Sequence, residues 1–481
     1  MKFTIAPTLL SVSIVFMVGV LTAILFSHSA LLSDSIAALH IDSQVYIHTA
    51  HQILQGKILY KEVFDHKGPV MYIMECLGVL FCGNTYLGLW IVQWIVFVVG
   101  VSPLFIFWAK KYNLLLSITG LVVMTSWIFR TKTIGDNLPE IYAIGLISLS
   151  YYFALKIIET KNQNRLHSVL LGASVMSIFL LKPNLVVVVL PIFIWVFYMF
   201  SSDGNSVFAK SEIILCIKNV SIGSFMILLP IVIYFTYHQA LSDALFAFWT
   251  FNFSYISAQK HSLLESLSQV FYNTPNYFLL FVVIAALVKV VFAKDSRILL
   301  FILLLSLILS MVVLIGVPGR GSESIHYAIP LAPLLAWLVV SIGMKFQKFQ
   351  LYFLFAIALY FFRPVWLHFI SDKSIISFES SAIQYIKTHK KPDETLCVLG
   401  NRSAAYKQTG LPCNTSFFYT YPIMVNCNSP INEKFLKQFA SKKADWILYE
   451  IQYPMDTCVT NILYNYQQVF ATYQEQVYQL R

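Results

Sequence analysis

Long apolar runs broken by short polar stretches fill the first three quarters of the chain. Windows of about twenty apolar residues, the length of helix that crosses a hydrocarbon core, fall near 7–26, 86–109, 113–129, 138–157, 166–181, 184–202, 219–237, 276–293, 298–317, 327–343 and 350–370. This pattern predicts a polytopic α-helical membrane protein with about eleven spans. The first run, Pro7 to Phe26, lacks a small-residue cleavage motif and is preceded only by Lys2, so it reads as a retained first span. Pro69 to Cys82 is apolar over only fourteen residues and contains Glu75, which predicts an interfacial or re-entrant helix instead of a crossing. Past residue 371 the pattern changes. Apolar strings at Thr395–Leu399 and Trp446–Tyr449 alternate with helix-like stretches at 377–389 and 430–441, the signature of a small α/β domain. The expected organisation is a membrane domain over 1–371, with a first outer loop at 27–85, followed by a soluble domain over 372–481.

Composition agrees: 58% of the 481 residues are hydrophobic and 12% are charged, with a mean hydropathy of +0.70, outside the range of water-soluble globules. The net charge of +10 does not point to nucleic acid, because the lysines and arginines sit in short groups between apolar runs. If Pro69–Cys82 does not cross, Lys110/Lys111, Lys156/Lys161/Arg165, Lys210/Lys218, Lys294/Arg297 and Lys345/Lys348 share one side, which the positive-inside rule makes cytoplasmic. The N-terminus is then inside and everything after about Ser371 outside. Four of the seven cysteines (Cys397, Cys413, Cys427, Cys458) fall in that outer segment and permit one or two disulfides, with three full pairings open. Cys76, Cys82 and Cys216 read as packing residues. P-loop, dinucleotide, nucleophile-elbow and zinc-type patterns are missing.

With this topology the unusual polar residues collect at the outer face, where an ionisable group near lipid is a functional candidate. The first outer loop is richest. Asp42 followed by Val45, Ala50 and Leu54 predicts a short amphipathic surface helix that Gly56 ends, with Asp42 at the lipid boundary as an N-cap, a reactive acid or both. Asp65-His66-Lys67 then precedes a Gly68-Pro69 break; a polar turn with a snorkelling lysine competes there with a binding role. Asp136 and Glu140 open the fourth span, where capping is the simpler role. Lys182-Pro183-Asn184 reads as a hairpin turn whose lysine can meet an anionic headgroup. Arg320, in the Gly319–Tyr327 stretch that also carries Glu323 and His326, suits bidentate binding of phosphate.

Asp42 with Tyr46, Gly56-x-x-x-Tyr60 and Lys67-Gly68-Pro69-x-x-Tyr72 together resemble the first outer loop of the GT-C membrane glycosyltransferases. The likeness is to the bacterial branch related to protein O-mannosyltransferases and to the enzymes that add aminoarabinose to lipid A. That family often pairs its early acid with a second one; here Ser43 follows Asp42. The resemblance implies transfer of a sugar from a polyprenyl-phosphate donor to a glycan, lipid or protein acceptor at the outer side, with inversion. An acceptor hydroxyl needs a carboxylate to take its proton, a role that falls to Asp42 with Asp65 as the second catalytic acid. The leaving phosphate gains charge and needs cations, for which Lys67, Lys182, Arg320 and His326 are the expected residues. Tyr46, Tyr60, His66, Tyr72, Asp136 and Glu140 are the expected acceptor or sugar contacts. Outward aromatics such as Trp249, Phe251, Phe253 and Tyr255 line a groove or form an interfacial belt. No metal ligand set and no cofactor are assigned, and a divalent metal is left open. The implied location is a bacterial inner membrane. A transporter or lipid-linked glycan flippase is the alternative, and it predicts charges at the bilayer midplane in two related halves.

Overall fold

The computed structural model describes residues 14–15, 41–82, 86–131, 137–202, 210–253, 276–292, 297–316, 322–343, 380–420, 430–452 and 457–481. The windows expected near 7–26, apart from Ile14 and Val15, and near 350–370 lie outside them. Helix α1 (Ile41–Leu54) forms where the sequence predicts a helix, but Ser43–Ile47, Thr49 and Ala50 are buried, so it is packed into the protein on most of its sides instead of lying as an exposed amphipathic surface helix. Gly56 ends it at φ 93°, a conformation that a side chain disfavours, with its N–H donating to Ile53 O at 2.9 Å. Helix α2 (Pro69–Cys82) follows the loop after α1 and keeps its fourteen-residue length.

The remaining apolar windows become α3 (Tyr86–Lys111), α4 (Leu114–Thr131), α5 (Pro139–Glu159), α6 (Arg165–Leu181), α7 (Leu190–Ser202), α8 (Lys210–Tyr237), the short α9 (Leu241–Leu245), α10 (Asn276–Phe292), α11 (Arg297–Met311) and α12 (Ala332–Gly343). Among the described residues, four stretches are long and apolar enough to cross a membrane: Leu87–Lys111, Pro139–Glu159, Ser211–Tyr237 and His326–Gly343. Shorter apolar helices cover Pro69–Phe81, Leu114–Ile128, Arg165–Leu181, Pro183–Val196 and Ile298–Leu314.

Proline explains where a window is not one clean helix. Lys182 precedes Pro183 and is extended (φ −164°, ψ 114°), as the clash with a following proline ring demands. The chain then makes a 3-10 stretch at Pro183–Val188 before α7 begins. Likewise Ser322–Leu331, which contains Pro330, is 3-10 helix and only then passes into α12. Small residues let the helices close up: a side chain on Gly100 of α3 would overlap the Gly145 backbone of α5, and Gly172 of α6 and Gly223 of α8 are equally tight. Trp127 ties α4 to this second 3-10 stretch by donating from Nε1 to Ala328 O at 2.7 Å.

Beyond residue 380 a four-stranded sheet runs in the order β1-β2-β4-β3, with β1 Leu396–Leu399, β2 Trp446–Glu450, β3 Tyr466–Ala471 and β4 Glu475–Leu480. β1 and β2 are parallel; β4 is antiparallel to both its neighbours. Helices α13 (Ser381–His389), α14 (Ala404–Thr409), α15 (Pro430–Ser441) and α16 (Thr457–Leu463) accompany it. The expected strings and helices are thus present, and the β3–β4 hairpin is added. Cys397 and Cys413 are free thiols, so no pairing of all four cysteines of this segment forms; Cys427 and the Cys458 side chain lie outside the described residues. This segment rests on the first loop and α1: Phe64 N donates to Ser416 O at 2.9 Å and Ala404 N to Gln44 Oε1 at 3.3 Å.

Candidate active site

The loop after α1 folds back on itself before it reaches the bundle. Buried Tyr60, at φ 67°, donates its N–H to Val63 O at 2.8 Å and its hydroxyl to Lys67 O at 2.6 Å. Gly68 then leans on the end of α6. Its N–H donates to Leu181 O at 3.2 Å, and a Cβ there would overlap the Leu180 carbonyl. Only glycine permits this approach, and the contact seats Lys67 beside the residue that follows Leu181, which is Lys182.

Asp65 is fully buried and surrounded by donors. The His66 N–H reaches Oδ1 at 2.5 Å, the Tyr419 hydroxyl donates to Oδ1 at 2.9 Å, and the Tyr72 hydroxyl donates to Oδ2. Burial alone would raise this carboxyl. The His66 hydrogen bond, the Lys67 charge and the Tyr72 bond oppose it and hold Asp65 well below the usual carboxylate range. His66 places Nδ1 3.0 Å from Asp65 Oδ1 and Nε2 2.7 Å from Lys67 Nζ. Burial and the Lys67 charge push its pKa down, so the ring is neutral. The partners then assign the tautomer: Nδ1–H donates to Asp65 and Nε2 accepts from the Lys67 ammonium. Asn252 holds the His66 carbonyl at 2.9 Å, and Phe251 packs on both Phe64 and His66. The chain Asp65–His66–Lys67 therefore fixes one cation, whose Nζ stands 5.8 Å from the centroid of Tyr46.

A second cation is fixed nearby. Lys182 pairs with Oε1 of buried Glu140 and lies 4.1 Å over the Tyr327 ring. Burial opposes its charge, but Glu140, Tyr327 and Asp42 raise its pKa, so it stays an ammonium. His326 packs on Tyr327 with the ring centroids 4.4 Å apart and tilted by 39°. Glu140 sits in the first turn of α5 and accepts from Lys182; Leu138 is the N-cap and makes no side-chain cap bond.

Between these two clusters lies Tyr46, buried, its ionisation opposed first by burial and then by Asp42, Asp65, Glu140 and Tyr327. Asp42, half-buried in the first turn of α1, exerts its charge on Tyr46, His66, Lys182 and Tyr419 alike. Its neighbour Ser43 fixes the start of α1 to the α5 approach by accepting the Asn137 N–H at 2.7 Å. Asn137 is itself held: its amide donates to both Glu75 oxygens at 2.7 and 2.6 Å, and its Oδ1 takes Gln93 Nε2 at 2.5 Å. The Tyr142 hydroxyl donates to Glu75 Oε1 at 3.1 Å. Glu75, which interrupts the apolar run of α2, thus anchors the segment that carries Glu140.

Asp42, Tyr46, Tyr60, Asp65, His66, Lys67, Tyr72, Glu140, Lys182 and His326 form one neighbourhood; Asp136 and Arg320 lie outside the described residues, as does Tyr255. The Tyr60 and Tyr72 hydroxyls are spent inside the loop, on Lys67 O and Asp65. Trp249 and Phe253 are exposed and pack on each other at 5.1 Å. Tyr419, Asn252 and Tyr327 join the site without any expectation from sequence. Among the described residues no three His, Cys, Asp or Glu side chains come together as a metal site requires.

No family model and no curated protein matches this sequence. Solved structures do match. ArnT from Cupriavidus metallidurans in the apo state superposes with a TM-score of 0.57 at 11% identity, over 98% of this chain and 97% of that one. ArnT from the same organism bound to undecaprenyl phosphate gives 0.55 at 11% identity over the same shares. The archaeal oligosaccharyltransferase AglB from Archaeoglobus fulgidus, in complex with an inhibitory peptide and a dolichol-phosphate, gives 0.53 at 11% identity, over 96% of this chain and 71% of that one. The likeness is one of fold, shared with ArnT and with AglB.

Proposed function

We propose that this chain is a glycosyltransferase that moves a sugar from a polyprenyl-phosphate donor to an acceptor at the outer face of the membrane, with inversion at the anomeric carbon. The observation that carries this reading is the gathering of two fixed ammonium groups, Lys67 and Lys182, with Asp42 around buried Tyr46. The neighbours that share the fold include one bound to undecaprenyl phosphate and one bound to a dolichol-phosphate. About eleven spans, a cytoplasmic N-terminus, an outer domain over 372–481 and a bacterial inner membrane complete the proposal.

In this scheme the acceptor oxygen attacks the anomeric carbon as the bond from that carbon to the phosphate oxygen breaks. Asp42 takes the acceptor proton, and the polyprenyl phosphate leaves with its added negative charge. Lys67 and Lys182 stabilise that charge where water is scarce; Arg320 and His326 complete the phosphate side. Asp65, with both oxygens engaged, acts through His66 to aim Lys67. Tyr46, His66, Glu140 and Asp136 border the sugar and the acceptor, with Tyr60 and Tyr72 bracing the loop behind them.

The test is transfer from radiolabelled polyprenyl-phosphate sugars to a panel of outer-surface acceptors by purified protein in liposomes. Asp42→Asn should lower kcat by about 10²–10⁴-fold, the usual worth of a general base, with an unchanged melting profile. Undiminished transfer by the folded variant overturns the assignment of Asp42. Movement of the lipid-linked sugar across the bilayer with no glycosidic product overturns the transferase in favour of a flippase.

A further inference from the structure

Helix α1 has two working faces. At 3.6 residues per turn, Asp42 and Tyr46 stand on one side, and Gln44, His48 and His51 stand on the other, with Gln55 in the turn that follows. The second face borders a cavity of about 320 Å³ that α14 and the turn after it close from the opposite side, through Ser403, Lys407 and Cys413 among others. None of the residues given above for the transfer site lines it.

The chemistry of the walls is specific. Gln44 Oε1 accepts from Ala404 N, and Gln52 Nε2 donates to Gln55 Oε1 at 3.3 Å, so the lining amides are held in place by protein bonds that leave part of their donor and acceptor capacity. Ser403 is fully buried and, among the described residues, its hydroxyl has no hydrogen-bond partner; nor has the buried Nε2 of His51. Such atoms are normally satisfied, and both belong to the wall of this cavity, where polar groups of a ligand can bond them. His48 is braced against Phe418 at 4.4 Å and Tyr406 at 5.2 Å, and desolvation lowers its pKa to about 3, so it offers a neutral ring. Lys407 stands in the lining and Lys57 acts on His48 and Cys413 from close by. No carboxylate belongs to the lining. The volume lies at the small end of ligand pockets, too small for a lipid chain bundle or a folded partner.

We propose that this cavity is a second ligand site, which takes a sugar bearing a negative charge as one unit of the acceptor glycan. Amides and a hydroxyl match the ring hydroxyls, and Lys407 matches the anionic group. The assignment as acceptor rests on the transferase reading above; the binding itself does not.

The experiment uses the full chain in detergent, with glucose 6-phosphate, glucuronate, glucose and inorganic phosphate as probes, read by titration calorimetry and saturation-transfer NMR. Both anionic sugars should bind, with glucose and phosphate each weaker by about tenfold or more. Lys407→Glu should lower the affinity for the anionic sugars by about tenfold or more and leave transfer to an uncharged acceptor unchanged. With a glucuronate-bearing acceptor, the same variant should raise KM and spare kcat. Equal binding of glucose or of inorganic phosphate, or an indifferent Lys407→Glu, overturns the site. A fall in kcat with KM unmoved overturns the acceptor role. Protein that binds the anionic sugars but transfers nothing overturns the transferase reading alone, whereas transfer-competent protein that binds none of them overturns the cavity alone.

Discussion

Two buried carboxylates serve the same neighbourhood in different states of completion. Asp65 has donors on both oxygens: His66 N–H and Tyr419 on Oδ1, Tyr72 on Oδ2. Glu140 gives Oε1 to Lys182, while its buried Oε2 has no hydrogen-bond partner among the described residues. A saturated carboxylate is a finished scaffold, and its depressed pKa makes it a poor proton acceptor. A half-satisfied one beside a fixed ammonium is a place where a substrate hydroxyl can complete the bonding. The difference separates the part of the site that aims Lys67 from the part that faces the chemistry, and Asp42 acts by charge on the second part through Lys182.

The largest effect that tests this difference comes from the less complete side. Lys182→Ala leaves Glu140 as a buried charge with its cation removed, and should destabilise the protein by about 3–5 kcal/mol. Lys182→Met combined with Glu140→Leu removes both charges and should restore most of that loss. Thermal unfolding in detergent of the single and double variants measures it. An additive double variant would mean that the two side chains do not depend on each other, and the contrast with Asp65 would lose its basis.

A smaller effect follows from the protonation of Asp65. Its folded pKa lies below the unfolded value near 3.9, so the native state prefers the ionised form. That stabilisation is present above pH 4 and is lost as the pH falls toward the folded pKa. Asp65→Asn should therefore flatten the part of the acid limb of a melting-temperature profile that lies below about pH 4. At neutral pH it should cost about 1–3 kcal/mol, because an amide cannot accept on both ends. An acid limb identical in wild type and variant would show that other groups govern the acid response.

How much of this was open to a reader of the sequence depended on how local the physics is. Helix α1, its stop at Gly56 and the apolar helices follow from nearby residues, because hydropathy and caps act over a few turns. Asp42, Lys67 and Lys182 stood out in the sequence as ionisable groups set among apolar runs. The pairing of Lys182 with Glu140 was not, since it joins residues from different helices. Gly68 reads from sequence as a turn; that it must be glycine so that the loop can touch Leu180 and Leu181 is a fact of packing. The β3–β4 hairpin stayed hidden because Tyr466–Ala471 is mostly exposed and carries a weak apolar signal. Glu75 marked α2 as unusual, but its partner Asn137 belongs to another segment.

Tyr419 is the extreme case: it lies 354 positions from the aspartate it contacts. Its hydroxyl is also the smallest probe of the same contrast. Tyr419→Phe removes one donor from Asp65 Oδ1 and keeps the ring, while the His66 N–H remains on that oxygen at 2.5 Å. Because the carboxylate keeps other donors, the loss should be near the net worth of one hydrogen bond to a charged group, about 1.5 kcal/mol. The same deletion on a half-satisfied carboxylate would cost more. A loss approaching that of Lys182→Ala would mean that Asp65 depends on this single bond to the C-terminal segment. The phenol would then act as a strut between the first loop and the sheet, and the surplus of donors around Asp65 would not explain its stability.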